Sequence, residues 1–166
     1  MHVTTSPASP RIHIATDHAG MELSAHLVSH LTGKGYDVVD HGPKVYDAQD
    51  DYPSFCINAA LAVVADRQAG IYALGIVLGG SGNGEQIAAN KVRGIRAALA
   101  WNISTATLAR EHNDANVVAL GGRQHTFEEA TELVEAFLAE PFSNDERHIR
   151  RIEKIAVYEA TGEVIE

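Results

Sequence analysis

The run at residues 74–78 (LGIVL) passes straight into Gly79-Gly80-Ser81-Gly82-Asn83-Gly84, and this junction restricts the possible folds more than any other feature. A short, unbroken apolar run ending in glycine reads as a strand buried on both faces, the kind that lies inside a parallel sheet. Glycines at the following turn let a ligand come close and aim several backbone N–H groups at one point, which suits a phosphate or an oxyanion. A dinucleotide fingerprint would need glycine where Glu85 stands, and would normally follow the first strand. A Walker loop would need a closing Lys-Ser or Lys-Thr. A tight turn without a ligand is the plain alternative.

The flanking sequence supplies the rest of such a sheet. Residues 11–16 (RIHIAT) and 36–40 read as strands, and between them Leu23, Leu27, Val28 and Leu31 share one helical face that ends at Gly33 and Gly35. Pro53 suits the first turn of an apolar helix reaching Ala65. A short helix follows the glycines to about Lys91, and strands at 97–100 and 117–120 flank a helix at 104–111. Phe127, Ala130, Leu133, Val134, Phe137 and Leu138 mark the buried face of another helix. A last helix starts at Asn144 or Asp145 and carries an Ile149, Ile152, Ile155, Ala156 stripe. Five strands alternating with helices predict an α/β fold with a parallel sheet covered on both faces, and ligands bind beyond the carboxyl ends of such strands.

With 166 residues the chain suits one domain. The expected division is a loose tail at 1–10, a domain at 11–160 whose C-terminal helix occupies 145–160, and a tail at 161–166. A net charge of −9 argues against nucleic acid and anionic membranes as partners. One cysteine, Cys56, forms no internal disulfide, and neither a signal peptide nor a membrane span is legible, so the expected address is the cytoplasm. Against this acidic background, four of the thirteen basic residues crowd into 147–154 (RHIRRIEK).

The strand ends are polar where the ligand rule requires it. Asp17-His18-Ala19-Gly20 follows the first strand, the glycine run with Glu85 the third, and Gly121-Gly122-Arg123 the fifth. Glu111-His112-Asn113-Asp114 closes the helix before the fifth strand. These groups are expected to converge on one rim.

In this order, Asp17-His18-Ala19-Gly20, residues 79–91 (GGSGNGEQIAANK), His112-Asn113, Gly121-Gly122-Arg123 and the arginine-rich last helix resemble the type B ribose-5-phosphate isomerases. The likeness spans about residues 11–158. That family, with the galactose-6-phosphate isomerase subunits and allose-6-phosphate isomerases, implies a three-layer α/β/α sandwich, a dimer or tetramer, and a C-terminal helix that reaches the neighbouring subunit. One branch has a cysteine base at the head of the glycine loop. This chain has Gly79 there and resembles the mycobacterial-like branch, whose base is the glutamate six residues on, here Glu85.

The implied reaction interconverts D-ribose 5-phosphate and D-ribulose 5-phosphate through a cis-enediolate, with no metal or cofactor. Glu85 moves the proton between C2 and C1. Burial would raise its pKa and the helix N-terminus would lower it, and a solvated first-turn acid is the plain alternative. The N–H groups of Gly80, Ser81, Gly82, Asn83 and Gly84, with the Ser81 hydroxyl, would hold the enediolate. His112 is the ring-opening acid/base, with Asp17 to orient it or relay protons, while His18 and Asn113 bind sugar hydroxyls. Arg123, Arg147 and Arg151 take the phosphate, with His148 nearby. Tyr52 either covers the sugar or only begins a helix.

Rival readings are an isomerase of another sugar phosphate (allose 6-phosphate, galactose 6-phosphate or a tetrose phosphate) and a non-catalytic sugar-phosphate or nucleotide sensor. A metal hydrolase using His13, Asp17, His18 and His112 is the third, although their spacing fits no standard zinc pattern.

Overall fold

A computed structural model describes residues 9–166. The expected tail at 1–10 therefore falls, for residues 1–8, outside the described residues. Five strands, β1 (Arg11–Ala15), β2 (Val38–Asp40), β3 (Ala73–Gly79), β4 (Ala97–Leu99) and β5 (Val117–Gly121), form one all-parallel sheet in the order β2-β1-β3-β5-β4. β3, the LGIVL run, lies at its centre and every one of its residues is buried. Chain direction across the sheet reverses at β1 and β3, whose carboxyl ends, with that of β5, open on the same edge.

Helices cover both faces. On one side α1 (Met21–Gly33), α4 (Ile103–Asn113) and α5 (Phe127–Ala139) bury Leu23, Leu27, Leu133 and Phe137 against Ile12, Ile14, Leu78 and Leu120. On the other, α2 (Tyr52–Gln68) and α3 (Asn83–Ala89) set Cys56, Val63 and Ala89 against Val77, Val117 and Ala119. This is the three-layer α/β/α sandwich. The last helix, α6 (Glu146–Thr161), lies outside the layers against α4.

Local chemistry fixes the helix ends. Asn102 with Thr105 and Thr126 with Glu129 form reciprocal capping boxes at the starts of α4 and α5. Asp114, at φ 43°, turns the chain out of α4. A helix joining two parallel strands must run back along the sheet. Each such helix therefore begins at the carboxyl edge of the strands and ends at the amino edge.

Leu78 is fully buried one residue before Gly79. Leu78→Ala should cost about 2–5 kcal/mol in urea unfolding, the range for a leucine removed from a close-packed core. A loss below ~1 kcal/mol would mean that this strand end is not rigidly packed.

Candidate active site

The carboxyl edge is built around a missing side chain. A Cβ on Gly79 would fall within the Glu85 carboxylate, so that carboxylate occupies the space glycine leaves open. Glu85 sits in the first turn of α3 and is 4% exposed. Burial, its largest influence, raises its pKa, and the negative charge of Asp17 adds to the rise. The backbone N–H groups of Glu85 and Gly82 act the other way and do not overcome burial. The opposition between burial and helix terminus is thus resolved in favour of a raised carboxylate. Cys56, fully buried beneath the site, has its thiol pushed far up by burial and by the charges of Glu85 and Asp17, so it is no base at neutral pH.

Other loops lace onto the glycine turn. Gly82, at φ 83°, adopts a left-handed conformation against Leu99 and the Leu120 backbone, where a side chain would not fit. Gly122 N–H donates to the Gly79 carbonyl (2.7 Å) and Arg123 N–H to the Gly80 carbonyl (3.1 Å). The Arg123 guanidinium lies along Gly80, and Tyr52 packs its ring against the Gly84 backbone. Tyr52 therefore both opens α2 and walls the loop. The Ser81 hydroxyl accepts from Asn83 N–H (3.3 Å).

Asp17 caps the 3-10 turn His18–Gly20 by accepting from Ala19 N–H (2.9 Å). His18 turns its Nδ1 to Asp50 (2.6 Å), a residue that the sequence pattern did not single out because it lies in a polar loop with no periodicity. Asp17, His18 and Asp50 have ligand-type atoms within 4.8 Å of one another. Tyr46, from the same loop as Asp50, meets the His18 ring edge-on at 6.1 Å.

One expectation is corrected. Asp17, His18, Gly80, Ser81, Gly82, Asn83, Gly84, Glu85 and Arg123 share this edge, but His112 and Asn113 do not. They end α4, and the Asn113 carbonyl accepts from Arg96 just before β4, at the amino edge of the sheet. The cause is direction: α4 starts at the carboxyl edge, so its far end lies a full strand length away. The His112 ring stands 4.2 Å from that of His148, which is 3% exposed and shares a hydrogen bond with the Ser143 hydroxyl through Nδ1 (2.7 Å). Burial and neighbouring positive charge lower the His148 pKa. Arg147 and Arg151 project from α6 beside this pair, both exposed. Glu85 and the group around His112 thus lie on opposite edges of one chain.

The metal set His13, Asp17, His18 and His112 is not assembled either. His13 is buried between His41 (2.9 Å) and Asp66 (2.8 Å), and His112 belongs to the far edge.

The family model described as Ribose/Galactose Isomerase matches residues 12–155. Ribose-5-phosphate isomerase B of Mycobacterium tuberculosis is 54% identical over 153 residues, 92% of each chain. The enzyme of that name from Escherichia coli is 38% identical, over 90% of this chain and 96% of its own. A crystal structure of ribose-5-phosphate isomerase B from Mycoplasma genitalium with bound ribulose-5-phosphate superposes with a TM-score of 0.86 at 43% identity, covering 92% of this chain and 98% of the other.

A carboxyl whose pKa is raised by folding stabilises the fold while protonated, and that contribution is lost as pH rises through the folded pKa. Glu85→Gln should therefore raise the melting temperature at about pH 8 by a few degrees, with the gain shrinking toward about pH 4. An unchanged or lower melting temperature at about pH 8 would show that burial does not strain this carboxylate.

Proposed function

The chain belongs to the ribose/galactose isomerase family, and from that membership we infer that it interconverts D-ribose 5-phosphate and D-ribulose 5-phosphate. The observation that carries the mechanism is the Glu85 carboxylate, buried in the space left by Gly79 with its pKa raised. A carboxylate of this kind is a stronger base than a solvated one and is matched to removing the C2 proton and returning it at C1. Charge builds on the enediolate oxygens during the transfer, and the N–H groups of the Gly80–Gly84 turn are placed to meet it. Asp17 and His18 line the same edge for the sugar hydroxyls.

Ring opening and phosphate binding fall to the other edge, hence to a second copy. His112 supplies the acid/base for ring opening, Asn113 a hydroxyl contact, and Arg147 and Arg151 the phosphate clamp, joined by Arg123 from the Glu85 edge. Two features support a symmetric homodimer. Ile149 and Ile155 of α6 are exposed on their own chain, 37% and 54%, so the stripe lacks a partner there. A hollow of about 650 Å³ also runs along edge strand β4, between α3 near Gln86 and α6 near Ile155 and Tyr158, and it reaches Asn113. A copy docked on this face by a twofold axis would bring each amino edge toward the other's carboxyl edge. No helix of the described residues is long and apolar enough to cross a membrane. The buried single thiol and a small diffusible substrate fit a cytoplasmic address.

Mixing inactive variants tests the division of labour. Glu85→Gln mixed with His112→Ala, or with Arg147→Ala/Arg151→Ala, should regain about a quarter of wild-type turnover, because random pairing leaves one intact site in each hybrid dimer. Glu85→Gln mixed with Arg123→Ala should regain nothing, since both lie on one edge. Recovery in the Arg123 mixture, or none with His112→Ala despite subunit exchange, would contradict the shared site.

A further inference from the structure

We propose that Asp50 is a positioning residue that fixes the tautomer of His18, an inference that rests on the reading of His18 as a sugar ligand. A single oxygen of Asp50, Oδ1, receives both the His18 backbone N–H (3.0 Å) and the ring Nδ1 (2.6 Å). The first contact sets where the residue sits, and the second sets how its ring is turned. The Asp50 side chain is only 10% exposed, against 24% for His18, so the pair is partly withdrawn from water, where such hydrogen bonds strengthen.

An ionised carboxylate can only accept, so Nδ1 must carry the proton. In neutral His18 the lone pair is then left on Nε2, which becomes an acceptor for a substrate hydroxyl. Without Asp50 the imidazole is free to choose either tautomer. Tyr46, edge-on to the ring, limits its tilt but offers no hydrogen bond that would select a proton position. Among the described residues the other oxygen of Asp50, Oδ2, is buried without a hydrogen-bond partner, so there this carboxylate hydrogen-bonds only to His18.

The test joins a spectroscopic and a kinetic reading on the intact protein. Two-bond ¹H–¹⁵N correlation of the wild type should show His18 with its proton on Nδ1, and Asp50→Asn should shift it toward a mixture. In turnover of ribose 5-phosphate, Asp50→Asn should lower kcat/KM roughly tenfold or more, the scale seen when the partner orienting a functional histidine is lost. The double variant with His18→Ala should be no worse than His18→Ala alone. A wild-type His18 protonated on Nε2, or losses that simply add, would overturn the proposal. Should His18→Ala keep wild-type activity, the reading of His18 as a sugar ligand fails, while the nitrogen shifts still decide whether Asp50 sets the tautomer.

Discussion

A carboxylate held in the space of an absent side chain organises this molecule. Glu85 reaches over the end of β3 only because Gly79 has no Cβ, and its burial there follows from the fully buried strand beneath it. The same burial raises its pKa, so its placement and its proton affinity have one origin. Gly82 and Gly84 serve the arrangement in turn, one by its left-handed backbone and the other by admitting the Tyr52 ring. A side chain at position 79 and the Glu85 carboxylate would compete for one volume.

The second organising constraint is direction. Parallel strands joined by helices place every helix N-terminus on one edge and every helix C-terminus on the other. Glu85 begins a helix and His112 all but ends one, so a single copy cannot bring them together however its side chains turn. Apolar residues are left open on α6, and others line the hollow along β4.

Much of this was legible in the sequence because it rests on periodicity and on glycine. The LGIVL run, the Leu23–Leu31 face and the Phe127–Leu138 face gave the strands, helices and layers. The candidate site residues were legible as residues but not as places. Chemistry alone put His112-Asn113 with the strand-end loops, whereas the direction of α4 puts them a strand length away. Asp50 was invisible for a different reason: loop residues have no period, and its role depends on meeting a histidine thirty-two positions earlier in the chain. The net shift of Glu85 also required burial to be known, since its first-turn position alone argues for the opposite sign.

Hydrogen exchange at C2 of ribose 5-phosphate in D₂O, followed by proton NMR, tests the proposed role of Glu85 as base most directly when wild type is compared with Gly79→Ala. The added methyl group must displace a flexible carboxylate rather than backbone, so the variant should fold and still bind sugar phosphate while C2 exchange slows at least ~100-fold, the scale of a lost general base. Exchange at the wild-type rate in a folded Gly79→Ala protein would contradict the account.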